Sequence, residues 1–315
     1  MKILIGFDGS RCADDAITDL HRAGLPPEGT EALVLAVADV YVTSAAADPT
    51  ADRPSATVVL RDVERLKGLV GQAVDRARAD AEKAAARVRS LFPGWSVSAD
   101  AVADTPHWAL VKKAAEWSAD LIVVGSHGRS ALGRMVLGSV SQQVLHSAPC
   151  SVRVGRCGAA GAQLREPRVR LVLGVDGSVD SAAAVSAVTG RHWPPGTEAL
   201  VVGVLDARVI LNHLEMARPA GTPHGGAAGA SAGLRDMLSN VCDDLRRSGI
   251  AATGTALDGD PKKVLIQEAE QFGADCIVVG AKGHSRIERL LLGSVSSAVA
   301  ARASCSVEVV RTGSA

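Results

Sequence analysis

Short apolar runs rich in β-branched residues alternate along this chain with longer segments whose apolar positions recur at helical spacing. Alternation of this kind predicts βαβ units and a parallel sheet, because buried parallel strands read as continuous apolar runs and their crossovers as amphipathic helices. Strands are predicted near residues 2–7, 32–38, 96–102, 120–125 and 151–154, with helices near 11–23, 58–92, 106–117 and 139–147. The same order then returns, with strands near 169–175, 199–205, 251–257, 275–280 and 306–310 and helices near 179–190, 231–248, 261–272 and 294–301. The expected fold class is α/β: two tandem doubly wound domains, each a five-stranded parallel sheet with four helices.

The repetition holds at the level of residues. Ile3-Leu4-Ile5-Gly6-Phe7-Asp8-Gly9-Ser10 returns as Leu171-Val172-Leu173-Gly174-Val175-Asp176-Gly177-Ser178. Pro26-Pro27-Glu28-Gly29-Thr30 returns as Pro194-Pro195-Gly196-Thr197, with one residue deleted. A period this long means duplicated domains rather than a solenoid, and 315 residues suit two of them. The boundaries read as 1–155 and 167–312, joined by the Gly/Ala-rich stretch Gly155 to Glu166. Thr43 to Ala56 and Ala217 to Gly233 both lie between the second strand and second helix of their domain. Their composition predicts surface loops, read either as lids near a ligand or as insertions without a role.

Composition narrows the function. Net charge is zero, aromatic residues make up 3% and there is one Tyr, so neither a basic footprint nor base-stacking platforms support nucleic-acid binding. The six cysteines lack C-x-x-C spacing and read as reduced, mostly buried thiols. The apolar runs stop far short of the ~20 residues needed to cross a bilayer, so no membrane partner is expected. With no signal-peptide pattern at Met1 to Phe7, a soluble cytoplasmic protein is expected.

The chemistry concentrates in one pattern present twice: Gly125-x2-Gly128-x9-Gly138-Ser139 and Gly280-x2-Gly283-x9-Gly293-Ser294. Each copy follows a strand and opens a helix. Glycines there let backbone N–H groups approach an anion, and the helix N-terminus adds partial positive charge. Ser139-Val140-Ser141 and Ser294-Val295-Ser296 begin those helices, as caps, as phosphate donors, or as both. Asp8-Gly9 and Asp176-Gly177 end the first strands, next to the switch point where open α/β sheets bind ligands. A carboxylate there would meet ribose hydroxyls or a phosphate-bound metal, although Asp-Gly-Ser is also an ordinary capped turn. Arg129, Arg134, Lys282, Arg286 and Arg289 lie in or beside the loops and suit a polyphosphate, as they would suit any polar loop. His127 and His284 have neither metal spacing nor a Ser-His-Asp arrangement and are assigned no catalytic role; no metal ligands are assigned. No G-x-x-x-x-G-K-[ST] loop is present.

These glycine patterns and the first-strand aspartates resemble the universal stress protein family in its tandem form, over almost the whole chain. The resemblance implies an adenine-nucleotide alpha-hydrolase-like fold that binds ATP, with or without Mg²⁺, in one or both domains. It places the glycine loops around the phosphates, Asp8 and Asp176 near the nucleoside, and the second-strand ends, Val37 to Asp39 and Val204 to Asp206, near the base. It also implies that the domains pair through their last strands, Ser151-Val152-Arg153-Val154 against Ser306-Val307-Glu308-Val309, where Arg153 and Glu308 are opposite in sign at matching positions. The expected function is a non-enzymatic, nucleotide-responsive stress or signalling protein. Weak ATP hydrolysis, a homodimer and an unidentified protein partner stay open, and a slow ATPase or phosphotransferase, or a scaffold without nucleotide, are the alternatives. Because the halves differ around the second helix, two sites of unequal affinity are expected.

Overall fold

The computed structural model describes residues 1–39, 56–128, 137–156, 168–206, 226–283 and 292–312; for residues 56–64, 226–228 and 230 it describes the backbone alone. The first half contains β1 (Lys2–Phe7), α1 (Arg11–Asp19), β2 (Glu31–Ala38), α2 (Ala56–Leu91), β3 (Ser96–Ala103), α3 (Pro106–Trp117), β4 (Leu121–Gly125), α4 (Ser139–Ser147) and β5 (Ser151–Gly155). The second contains β6 (Arg170–Gly174), α5 (Val179–Thr189), β7 (Glu198–Leu205), α6 (Gly226–Arg247), β8 (Ala251–Asp258), α7 (Pro261–Phe272), β9 (Cys276–Gly280), α8 (Ser294–Arg302) and β10 (Ser306–Val310).

Two expectations need correction. The helix expected over 11–23 ends at Asp19, and Leu20–Arg22 tightens into a 3-10 turn before Gly24, whose φ of +61° reverses the chain. Residues 226–233, expected as part of a loop, form the first turns of α6. The alanines of Gly226-Ala227-Ala228-Gly229-Ala230 are strong helix formers, and continuity with the packed part of α6 outweighs the glycines. The remainder of that stretch, most of Thr43 to Ala56, and residues 157–166 of the expected linker lie outside the described residues.

The ten strands of the described residues form one sheet in the order β3-β2-β1-β4-β5-β10-β9-β6-β7-β8. Within each half the strands are parallel and the order reverses beside the first strand, so β1 lies between β2 and β4, and β6 between β7 and β9. The halves meet where β5 and β10 pair antiparallel, with Val307 opposite Val154, Glu308 opposite Arg153 and Val309 opposite Val152. The period of two sends the four valines to one face and the two charges to the other. On the valine face a single core runs across both halves, built from β-strand side chains and residues of α3, α4, α7 and α8. On the other face each half has its own core, one under α1 and α2 and one under α5 and α6, and the charges lie at the seam between them.

Cys12, Cys150, Cys242, Cys276 and Cys305 are free and buried. Burial pushes the Cys150 and Cys305 thiols up to about 12 and Cys276 higher still, so these three stay protonated. Among the described residues no helix is long and apolar enough to cross a membrane.

Candidate functional site

Each half presents the same crevice at the carboxyl ends of its first and fourth strands. In the first half Asp8 follows β1 and bends the chain back on itself: its Oδ1 accepts from the Ser10 N–H at 2.9 Å, with Gly9 at φ +74°. Ser10 then caps α1, accepting from the Ala13 N–H at 3.2 Å, while its hydroxyl donates to the His127 carbonyl at 3.4 Å. Asp-Gly-Ser is thus a capped turn that borders the crevice, its cap hydroxyl tying α1 to the glycine loop. The second half repeats the arrangement, with Ser178 N–H to Asp176 Oδ1 at 2.9 Å, Gly177 at φ +83°, and Ser178 Oγ to the Lys282 carbonyl at 3.1 Å.

Across the crevice, a Cβ built on Gly128 would stand 2.9 Å from Asp8 Oδ2, and one on Gly283 would stand 2.6 Å from Asp176 Oδ2. Glycine here leaves room between the carboxylate and the loop. The first glycines work differently. A Cβ on Gly125 would lie 2.7 Å from the Cys12 carbonyl carbon, and one on Gly280 2.5 Å from that of Asp180, so these positions let the first turns of α1 and α5 pack on the strand ends. The last glycines close the loops: Gly138 N–H donates to the Ser126 carbonyl and Gly293 N–H to that of Ala281, each at 2.8 Å.

The helices that follow begin without a side-chain cap bond, as α3 does at Thr105. α1, α5 and α7 are capped by side-chain oxygens of Ser10, Ser178 and Asp260, whereas α4 and α8 start on Gly138 and Gly293, which have none. Their first-turn N–H groups are thereby left without a side-chain acceptor. Ser139 and Ser294, the first helical residues, are exposed; Val140 and Val295 are half-buried against the shared core. Ser141 and Ser296 point inward instead: Ser141 Oγ donates to the Gly125 carbonyl at 2.7 Å and Ser296 Oγ to that of Ala281 at 2.8 Å. Their part is to hold the helix start against the loop rather than to meet a ligand with a free hydroxyl.

Val37 and Val204 end their strands half-buried, packed on the shared core at the far side of β1 and β6 from the glycine loops. Arg129, Arg134, His284, Arg286 and Arg289 lie outside the described residues. His127 shares a hydrogen bond between Nδ1 and Ser126 Oγ at 3.0 Å, and burial, with the Arg156 guanidinium adding to it, holds its imidazole below the usual range. Beside Ser139 a groove of about 410 Å³ opens between α3 and α4, lined by His107, Ser139, Gln142, Gln143, His146 and Ser147. Nothing in the spacing of those residues marks them out; only the packing of α3 beside α4 gathers them.

The family model described as the universal stress protein family matches this chain twice, over residues 1–156 and 168–311. The chain belongs to the universal stress protein family. A universal stress protein of Mycolicibacterium smegmatis is 30% identical over 315 residues, covering 98% of this chain and 96% of that protein. One of Mycobacterium tuberculosis (strain ATCC 25618 / H37Rv) is 28% identical over 316 residues with the same coverage. The crystal structure of a universal stress protein from Archaeoglobus fulgidus covers 98% of both chains with a TM-score of 0.60 at 19% identity, a likeness of fold. As a tandem universal stress protein, the chain brings both family units into one continuous sheet.

Proposed function

We propose that this protein binds an adenine nucleotide, ATP with or without Mg²⁺, in the crevice of one or both halves, and that occupancy rather than catalysis is its function. The observation that carries the reading is the pair of glycine-started helices, α4 and α8, whose uncapped first turns face an aspartate across a glycine loop. The donor set fits a polyphosphate: backbone N–H groups of the helix start and the exposed hydroxyls of Ser139 and Ser294 would take the phosphates. Asp8 and Asp176 would take ribose hydroxyls or a phosphate-bound Mg²⁺, with Val37 and Val204 beside the base. In this reading the bound group would supply charge to the crevice, and none of its bonds would be broken.

Magnitudes are consistent with this. A helix terminus contributes ~0.3–1 kcal/mol and a charge-assisted hydrogen bond ~1.5–3 kcal/mol. Micromolar binding needs about 8 kcal/mol, so several such contacts must act together. The test is thermal unfolding of nucleotide-free protein with and without ATP and Mg²⁺. At ~100-fold excess over the dissociation constant, linkage stabilises by about 2.7 kcal/mol, or several degrees. Ser139→Glu/Ser294→Glu, which sets carboxylates on exposed first-turn positions, should melt as the native protein does and lose the shift. No shift in the native protein ends the nucleotide reading.

A further inference from the structure

We propose that the β5–β10 seam is a selective interface, which pairs the edge of the first half with the edge of the second and rejects a second copy of either edge. The contacts across it divide into two sets. One set is symmetric. Arg156, after β5, donates from Nη2 to the Ala300 carbonyl of α8, and Arg311, after β10, donates from Nη2 to the Leu145 carbonyl of α4. Arg156 N–H reaches Ser306 Oγ at 3.3 Å and Arg311 N–H reaches Ser151 Oγ at 3.2 Å. With the strand ladder and the four buried valines, these contacts could form between any two such edges, and alone they would leave each half free to pair with its counterpart in another chain.

The other set is asymmetric. Arg153 and Glu308 face each other in register, both fully buried, with Nη1 to Oε2 at 3.2 Å. Asp19 backs Arg153 at 2.8 Å, and Arg191 backs Glu308. The repeat places Ala187 where the first half has Asp19, and Ala23 where the second has Arg191. A pair of first-half edges would therefore bury Arg153 against Arg153, and a pair of second-half edges Glu308 against Glu308. Each charge would keep its own backing partner and lose the one across the seam. Shape adds a second discriminant. A Cβ on Gly24 would fall 2.6 Å from the ring of Trp193, whereas the repeat has His192 in the place of Gly24 and Leu25 in the place of Trp193. Paired second-half edges would drive the indole into a histidine; paired first-half edges would leave the hollow above Gly24 to a leucine. Buried ion groups add little net stability compared with apolar residues of the same size, so selection among partners is the better account of this tetrad.

The full chain provides the test. Arg153→Glu leaves the tetrad with two uncompensated negative charges and opens the seam, freeing an unaltered second-half edge. Glu308→Arg does the reverse and frees an unaltered first-half edge. By light scattering, each variant alone should stay monomeric at micromolar concentration, with its β5 and β10 amides exchanging faster than in the native protein. Mixed in equal amounts they should form a heterodimer at least about tenfold tighter than either self-association. Arg153→Glu/Glu308→Arg, which restores two charges of each sign, should return to a protected monomer. Should a single variant fail to fold, Arg153→Gln and Glu308→Gln are mixed in the same way. The proposal is overturned if either variant dimerises by itself as tightly as the mixture, or if the single variants keep native protection at the seam.

Discussion

Under the two glycine loops lie different side chains at the same repeat position. In the second half, Asp180 in the first turn of α5 accepts from the Lys282 N–H at 3.0 Å and from Thr312 Oγ1 at 3.1 Å, fastening loop and chain end together. In the first half, Cys12 occupies that place and offers no carboxylate; the loop carries His127, whose Nε2 is buried without a hydrogen-bond partner. The frame that makes the crevice, Asp-Gly-Ser and the glycine spacing, is duplicated intact, while what lies beneath it has diverged. Duplication therefore preserved the shape of the crevices while the charges beneath them diverged.

The steric frame should break most severely and almost equally in both halves. Gly125→Ala and Gly280→Ala each force a methyl group onto helix backbone that cannot swing away. About 2–3 kcal/mol should be lost in urea unfolding for each, slightly more for Gly280→Ala because its clash is closer. The floor should then separate the halves. Asp180→Ala leaves the Lys282 N–H and Thr312 hydroxyl without their acceptor and should cost about 1–2 kcal/mol, whereas Cys12→Ala should cost less. Cys12→Asp, offering Arg156 and the first loop the same acceptor, should narrow the gap; destabilisation by Cys12→Asp would show that the floors are not interchangeable.

If the crevices bind nucleotide as proposed, calorimetric titration should resolve two unequal sites, since the second half sets Asp180 and Lys282 where the first has Cys12 and His127. Ser139→Glu should remove one phase and Ser294→Glu the other, and Asp180→Ala should change the second-half phase alone. Loss of both phases in either single variant would mean that the sites do not act separately.

The smallest effect concerns pH and, among the described residues, belongs to the first half. Burial holds His21, which packs against Phe92, and His127 below their ordinary value of 6.5. Above that value neither state carries the extra proton. As pH falls through it the unfolded chain takes up protons that the folded chain refuses, so stability declines from about pH 6.5 downward. Exchange rates of β1 to β4 amides should rise over that window while those of β6 to β9 change less, and His127→Gln should flatten the difference. At lower pH both halves should weaken together. Burial alone would raise the Glu308 carboxyl, but Arg191 and Arg153 hold it below the usual carboxylate range, so its stabilisation is present above about 4.5 and is lost as pH falls through its lowered value.

Periodicity alone placed every strand and helix of the described residues to within a few positions, because burial on both faces makes parallel strands read as uninterrupted apolar runs. It failed where local and tertiary preferences compete: at Leu20–Arg22, where the chain tightens before Gly24, and at residues 226–233, where the glycines suggested a loop and the helix continues through them. The glycine pattern marked the crevice, yet it could not separate the packing glycines, Gly125 and Gly280, from Gly128 and Gly283, which clear a space before a carboxylate. Nor could it show that Ser141 and Ser296 turn inward while Ser139 and Ser294 turn out, a distinction that depends on which carbonyl each hydroxyl meets.

By itself the sequence determined the duplication, the α/β class, the glycine loops and the family, since all of these are written in local periods and spacings. The resemblance set Arg153 against Glu308 across the last strands; only the tertiary structure decided which charges back them. Arg153 and Glu308 are 155 residues apart, and each alone would be an anomaly in a buried strand. Asp19, at the end of α1, and Arg191, just past α5, reach them from the two sides of the seam on one face of the sheet, so the ion tetrad exists only once two sheets become one. Long-range pairing of this sort leaves no local trace, because its energy comes from removing water around groups that neither half can neutralise across the seam until the other half is in place.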